Sequence, residues 1–194
     1  MPKGLNIYYY GKGKGKTTAV MGLAARAAGA CLDVFILQFV KARAPKKGER
    51  LLSGEWPLSN EFKYFNAKEK QKNIGKIQSK QVGLGFVGIL GDKKQRIKHV
   101  QAAKQGLKEA EKIFKSKKYQ LVILDELVSA LELKLLTEKE VLALISKKPK
   151  EMHLAYTGHD SFKGLLAVSD LVSEIKMIKH PYYQGIMAIR GIDF

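Results

Sequence analysis

Cysteine is nearly absent: Cys31 is the only one in 194 residues. That excludes a disulfide framework and a cysteine-built zinc site. Cys31 itself, placed where a first helix should end, is expected to be a small buried or boundary residue. Long apolar runs are missing too. Nothing approaches the roughly 18 residues that a membrane-spanning helix needs. Met1-Pro2-Lys3 leads straight into a short strand, with neither the apolar stretch nor the small-residue cleavage site of a signal peptide. A cytoplasmic chain with no membrane partner is the expectation. Acidic residues are scarce, 18 against 35 lysines and arginines, so the formal net charge is +17. Such a surplus suits nucleic acid, an anionic surface, an acidic protein partner or anionic substrates. The basic clusters (41–50, 68–80, 93–98, 112–118 and 147–150) are mostly lysine with few interleaved aromatics. That pattern favours solvated faces over a nucleic-acid groove, and lysine enrichment also accompanies life at high temperature.

What the chain does have is 45% hydrophobic residues, enough for a substantial core, at a length that suits one α/β domain. Residues 5–10 read as a strand and Thr17 to Ala28 as an alanine-rich helix ended by Gly29. The near-continuous apolar run from Asp33 to Phe39 is expected of a strand buried on both faces of a parallel sheet. Residues 40–60 read as a basic loop and Glu61 to Phe65 as a short strand. Residues 66–92 lack periodicity and carry Gly75, Gly83, Gly85, Gly88 and Gly91, so a basic, irregular insertion is expected there; long irregular segments inside compact domains are usually functional. Between Lys93 and Lys117, Val100, Ala103, Leu107, Ala110 and Phe114 recur at helical spacing. Leu121 to Leu124 is another buried strand, ending at Asp125-Glu126. Thr137 with Glu140 forms a capping box for a helix through Ile145. His153 to Tyr156 reads as a strand ending in Thr157-Gly158, Ser161 to Val168 as a short helix, and Leu171 to Ile178 and Ile186 to Ile189 as strands. Alternation without repeats predicts a single doubly wound, mostly parallel sheet over residues 1–194, with ligands at the carboxyl ends of its strands.

The most informative segment is Gly11-Lys12-Gly13-Lys14-Gly15-Lys16-Thr17-Thr18, lying between the first strand and the first helix. Strand, glycine-rich turn and helix opening on Lys-Thr-Thr make a nucleotide phosphate-binding loop. Gly11, Gly13 and Gly15 are expected to supply positive φ and close approach to a ligand. Backbone N–H groups and the helix N-terminus would hold phosphate oxygens, Lys16 would neutralise their charge, and Thr17 would place a hydroxyl on Mg²⁺. The usual pattern has a glycine four residues before Gly-Lys-Thr; Tyr10 stands there, and the first glycine falls one place later. An apolar strand delivering Asp125 and Glu126 at its tip is the second nucleotide signature, holding Mg²⁺ directly or through water. Glu126 is also the one candidate for a base or water-orienting group.

Further motifs accompany the loop in order: Leu37-Gln38-Phe39-Val40-Lys41 with Gly48-Glu49-Arg50, then 122–127 (VILDEL), Thr157-Gly158, and Ile178-Lys179-His180-Pro181 with Gly185 and Arg190-Gly191-Ile192-Asp193-Phe194. Together, from Gly4 to Phe194, they resemble the phosphate-loop family of ATP:corrinoid adenosyltransferases. The resemblance implies a recombinase-like P-loop NTPase fold, usually dimeric. It further implies transfer of the 5′-deoxyadenosyl group of ATP to a reduced corrinoid, with release of triphosphate. Co(I) is itself a strong nucleophile, so no general base is required. Gly11 to Thr18 would hold the triphosphate, with ATP in the unusual orientation of the family. Thr17 and Glu126 would be Mg²⁺ ligands supported by Asp125, with Lys16, Thr17 and Glu126 carrying catalysis. Phe86 matches the family's corrin-contacting aromatic, in a site where Gly88 and His159 also fall. The pattern departs at those last two positions, commonly Trp and Arg, and Lys68 to Gln81 resembles a lysine-rich insertion. A small-molecule kinase or ATPase is the main alternative, a nucleic-acid-dependent ATPase a lesser one. The basic surface suggests an acidic electron-transfer protein such as a flavodoxin as partner.

Overall fold

The computed structural model describes residues 3–42, 74–89, 92–187, 189 and 192. The short strand expected at 61–65, most of the basic loop over 40–60, the start of the insertion at 66–73 and most of the closing 190–194 lie outside the described residues. Six strands form one sheet: β1 (Asn6–Tyr10), β2 (Val34–Ala42), β3 (Ile77–Gly83), β4 (Leu121–Asp125), β5 (His153–Thr157) and β6 (Leu171–Glu174). Their order is β3-β2-β4-β5-β1-β6, and every pairing is parallel. Among the described residues five α-helices connect or flank them: α1 (Lys16–Gly29), α2 (Arg96–Ser116), α3 (Leu127–Glu132), α4 (Glu138–Ile145) and α5 (Lys163–Val168). The expected doubly wound α/β sheet is thus present, and it is wholly parallel.

The apolar runs are continuous because both faces of the central strands are covered. Ile7, Val34, Ile36, Leu121, Ile123 and Ala155 pack under α1, whose buried Val20, Ala24, Ala27 and Ala28 follow helical spacing. The alternate residues Tyr8, Leu37, Phe39, Val122, Leu124, Leu154 and Tyr156 join a larger cluster with α2, α3 and α4. Small alanines on α1 let that helix lie close to the strands. The Thr137–Glu140 capping box starts α4 as expected.

Several expectations need correction. Residues 77–83, read as part of an irregular insertion, form β3 along the edge of the sheet, paired to β2 from Val34↔Ile77 onward. The period-2 signal is weak because Gln78, Ser79 and Lys80 are exposed, so an edge strand of this composition looks like a loop. The strand read over 171–178 ends at Glu174, and the described part of 186–189 is not a strand. A helix directly after Glu126 was not expected; α3 is six residues long, too short for periodicity to declare it. Cys31 does sit at the end of α1, but exposed and with φ 64° rather than buried. Part of the lysine surplus is solvated: Lys98, Lys104, Lys108, Lys112 and Lys115 all lie on the exposed face of α2. Among the described residues no helix is long and apolar enough to cross a membrane.

Gly106 shows how tightly α2 is seated. A Cβ there would stand 2.8 Å from Phe39 Cε1 and 2.9 Å from Val82 Cγ2, and the Phe39 ring is buried with no room to retreat. Replacing a mid-helix glycine by alanine gains about 1 kcal/mol of helix propensity, whereas overpacking a core costs about 1–3 kcal/mol. Gly106→Ala should therefore lower the thermal midpoint despite the better helix former. A raised midpoint in a thermal melt would mean that α2 is not seated against Phe39.

Candidate functional site

The carboxyl ends of β1, β2, β4 and β5 converge on one place, and parallel register decides which residues meet there. Gln38 lies opposite Asp125, and Tyr9 opposite Thr157. The Asp125 carboxylate is fully buried. It accepts hydrogen bonds from Gln38 Nε2 (3.0 Å), Thr157 Oγ1 (2.9 Å) and Thr17 Oγ1 (3.2 Å). The buried Lys41 ammonium lies 3.5 Å from Asp125 Oδ2 and 3.4 Å from Thr17 Oγ1. Thr157 Oγ1 in turn accepts the Glu126 N–H at 2.7 Å. That bond fixes Glu126 in the left-handed region (φ 58°) as the N-cap of α3. Such a conformation costs a non-glycine residue free energy and persists where surrounding contacts over-determine it.

The loop from β1 to α1 has the expected strand–turn–helix context, but its glycines divide the work. Gly15, with φ 108° and open space around it, is the N-cap of α1, whose first turn carries no acid. The positive end of the helix is thus available to an anion. Gly11 and Gly13 serve a different purpose. An added Cβ would meet Ile175 O at 2.3 Å and 2.7 Å respectively, and their N–H groups donate to His159 O and Ile175 O. Only Gly11 and Gly15 of the three have positive φ. The first two glycines therefore admit the segment after β6 close against the loop.

Lys16 is half-buried, and its ammonium donates to the carbonyls of Gly11 (2.6 Å) and Gly13 (2.8 Å). Burial lowers its pKa, opposed by the charges of Glu132, Glu126 and Asp125. Glu132 was not anticipated from the sequence, yet it organises the rim. Its Oε1 accepts the N–H groups of His159 (2.7 Å) and Asp160 (2.9 Å), and its Oε2 lies 3.1 Å from His159 Nδ1. Burial raises its pKa, but these bonds outweigh it and hold the carboxyl below its ordinary value. Ser129 Oγ, 3.2 Å from the same His159 nitrogen, completes the group. Tyr8 reaches the same rim, donating to the Asp160 carbonyl at 2.5 Å. A cavity of about 350 Å³ opens beside it, between Tyr10, Gly11, His159, Asp160 and the strand-end residues Ile175 to Met177.

Phe86 and Gly88 lie elsewhere on the same end of the sheet, in the loop after β3. Gly85 N–H donates to Val40 O at 3.0 Å, which ties this loop to the residue preceding Lys41. Phe86 and Val87 are half-buried, Gly88 and Ile89 exposed. Gly88 has φ 70°, and nothing lies within 4 Å of a Cβ built on it, so a larger side chain finds space but a strained backbone. His159 is thus next to the phosphate loop, whereas Phe86 and Gly88 flank the Lys41 side.

Among the described residues no cluster of three His, Cys, Asp or Glu side chains forms a metal cage. What is present fits a hard cation that keeps water and phosphate oxygens in its shell, as Mg²⁺ does. The Thr17 hydroxyl is oriented by Asp125, and the Lys41 ammonium already occupies the point where hydroxyl and carboxylate converge. Gln38 and Lys41 had a signal in the sequence, as polar residues interrupting an otherwise apolar buried strand. Glu132 and Ser129 had none.

Comparison with known proteins agrees with this architecture. The family model described as ATP:corrinoid adenosyltransferase BtuR/CobO/CobP matches residues 2–194. A corrinoid adenosyltransferase of a Sinorhizobium species is 31% identical over 194 residues, covering 99% of this chain and 81% of that protein. Its counterpart in Pseudomonas aeruginosa is 30% identical over 192 residues, with 99% and 84% covered. The Escherichia coli K12 protein of the same name is 27% identical over 192 residues, with 99% and 86% covered. With its phosphate loop, its strand-tip acids and a match running through the whole sequence, the chain belongs to the ATP:corrinoid adenosyltransferase family, a family of transferases.

Proposed function

We propose that this protein transfers the 5′-deoxyadenosyl group of ATP to the Co(I) of a reduced corrinoid and releases triphosphate. The observation that carries the reading is the pairing of a glycine-capped, acid-free helix N-terminus with the buried Lys41 beside Asp125, in a chain of this family. The triphosphate lies along Gly11 to Thr18. Lys16 exchanges two neutral carbonyl acceptors for charged phosphate oxygens, a stronger kind of bond. Lys41 supplies a second positive charge to the leaving group. Thr17 and Glu126 would hold Mg²⁺, with Asp125 orienting Thr17, and the ion would supply positive charge to the leaving triphosphate. The adenosine half occupies the cavity bordered by Tyr10 and His159, and the corrinoid approaches along the Phe86 loop. Co(I) attacks C5′ as the C5′–O bond breaks, and its electron pair leaves on the triphosphate. The protein's contribution is alignment, charge neutralisation and exclusion of water.

The deciding experiment is anaerobic incubation with ATP, Mg²⁺ and chemically reduced corrinoid. A light-sensitive adenosylated corrinoid with stoichiometric triphosphate is expected; ADP or orthophosphate would identify a kinase or ATPase instead. Removal of Mg²⁺ by a chelator should abolish the reaction. Lys16→Ala removes a charged bond worth about 1.5–3 kcal/mol and should lower kcat/KM more than tenfold. Full activity in that variant would place ATP elsewhere.

Glu126→Gln keeps the shape of a strand-tip side chain that is not part of the core, so it should keep the thermal midpoint while raising the Mg²⁺ concentration needed for half-maximal activity. A variant that melts early yet keeps its metal response would make Glu126 a structural residue.

Two partner assignments accompany this reading. The exposed apolar residues Leu171, Val172, Ile178 and Tyr183 on and beyond the edge strand β6 suit pairing with a second copy in a homodimer. The exposed lysines of α2 suit an acidic electron-transfer protein of the flavodoxin type, which would deliver the electron that makes Co(I). Reduction by such a partner should slow as ionic strength rises, because charges are screened beyond about 10 Å in 0.1 M salt. Adenosylation from chemically prepared Co(I), assayed in parallel, should change little. Equal salt response in both assays would argue against charge-steered docking.

A further inference from the structure

The loop after β3 is held by a buried pair that the phosphate chemistry does not use. His99, on the first turns of α2, and Asp92, just before that helix, are only 2% and 3% exposed at their side chains, and His99 Nε2 lies 2.8 Å from Asp92 Oδ2. An ionised carboxylate only accepts, so the imidazole presents its Nε2 proton to Asp92. The same Oδ2 accepts the Gly88 N–H at 3.0 Å, and Oδ1 accepts the Lys94 N–H at 3.1 Å. Those two backbone bonds come first among the causes that hold the Asp92 carboxyl below its ordinary range, with the His99 contributions smaller. Asp92 thus joins three things: the left-handed turn at Gly88, the start of α2, and a helix side chain anchored in the protein.

We infer that Asp92 and His99 are positioning residues for the second substrate, fixing the Phe86–Gly88 turn so that its apolar side chains meet the corrin ring in one arrangement. This rests on the functional reading above, in which that loop faces the corrinoid. Three observations place the loop there. β3 delivers it to the same end of the sheet as β1 and β4, where ligands of parallel sheets bind. Gly85 is hydrogen-bonded to Val40, next to the lysine that touches Thr17 and Asp125. Its half-buried Phe86 and exposed Ile89 offer apolar surface at this end of the sheet, which suits a macrocycle rather than a nucleotide. Glycine at 88 makes the anchor useful: it has the largest backbone freedom to lose on ordering, and the space where a Cβ would stand is open. A carboxylate bonded to its N–H, itself oriented by a buried imidazole, supplies that order before the substrate arrives.

The test compares wild type with Asp92→Ala, Asp92→Asn and His99→Gln, following exchange of the Gly88 amide by NMR, the Kd for ATP, and KM and kcat for chemically reduced corrinoid. Asp92→Ala should expose the Gly88 amide to faster exchange and raise the corrinoid KM about tenfold, the size of one lost hydrogen bond to a charged group, with the ATP Kd unchanged. Asp92→Asn keeps an acceptor for Gly88 and should restore most of the KM; His99→Gln keeps a donor to Asp92 and should fall between. A thermal melt identifies any variant that is simply unfolded, and the conservative pair then carries the comparison. Faster Gly88 exchange with an unchanged corrinoid KM, in an enzyme whose wild type adenosylates corrinoid, overturns the inference and leaves the functional reading standing. A wild type that binds ATP but adenosylates no corrinoid overturns both.

Discussion

One buried carboxylate ties the site together. Asp125 is fully enclosed at the tip of β4, and it is bonded to residues of β2, β5 and α1 through Gln38, Thr157 and Thr17. An ionised group of this kind costs several kcal/mol to remove from water unless it is paired and hydrogen-bonded. Its partners therefore define a narrow set of acceptable geometries for the surrounding strand ends. Parallel pairing supplies that set directly, because Gln38 and Asp125 are register partners and Thr157 ends the next strand. Moving β2 by one residue would put Gln38 on the opposite face and leave the carboxylate short of a donor. Core packing and site assembly are consequently one constraint.

A second carboxylate organises the opposite wall. Glu132 gathers the backbone N–H groups of His159 and Asp160, and the carbonyl of that same His159 receives the N–H of Gly11. The rim of the site is thus linked to the phosphate loop through a single residue's main chain. Lys16 sits between the two acid systems, drawn toward protonation by Glu132, Glu126 and Asp125 and away from it by burial. Its bonds to Gly11 and Gly13 carbonyls hold the ammonium within the loop. An incoming polyanion has only to outcompete two neutral oxygens, which a phosphate does readily.

How much of this was legible beforehand follows from physical range. The phosphate loop, the strand carrying Asp125 and Glu126, the parallel sheet and α1, α2 and α4 rest on local signals: glycine spacing, apolar runs, helical periodicity and a capping box. Those features survive folding because the local preference and the tertiary structure agree. β3 was missed because an edge strand with an exposed polar face has no alternation to read. α3 was missed because six residues are fewer than two full turns. At Gly11 and Gly13 the structure adds a close approach by the backbone of Ile175 and Lys176, which glycine spacing in the sequence could not announce. Glu132, Ser129, Asp92 and His99 work through partners that only the folded chain brings near, and lone polar residues on helices carry no mark of such partners.

The way the acids are used also bears on the chemistry proposed. Asp125 has its lone pairs occupied by three side-chain donors with an ammonium close by, and Glu132 has its oxygens committed to two backbone N–H groups and an imidazole nitrogen. The bonds to Glu132 stabilise its charged form and hold its carboxyl below its ordinary value, so it is poorly suited to take up a proton. Phosphoryl transfer to a hydroxyl or water profits from a positioned base with a pKa near the working pH. Attack by Co(I) needs none, since the nucleophile arrives with its electron pair exposed and no proton to lose. What the proposed reaction would need is a leaving group already neutralised, and Lys16, Lys41, Thr17 and the helix N-terminus lie together where they would serve it. On that reading Glu126 serves the metal rather than a proton, and Asp125 and Glu132 serve rigidity, which suits displacement at carbon better than hydrolysis at phosphorus.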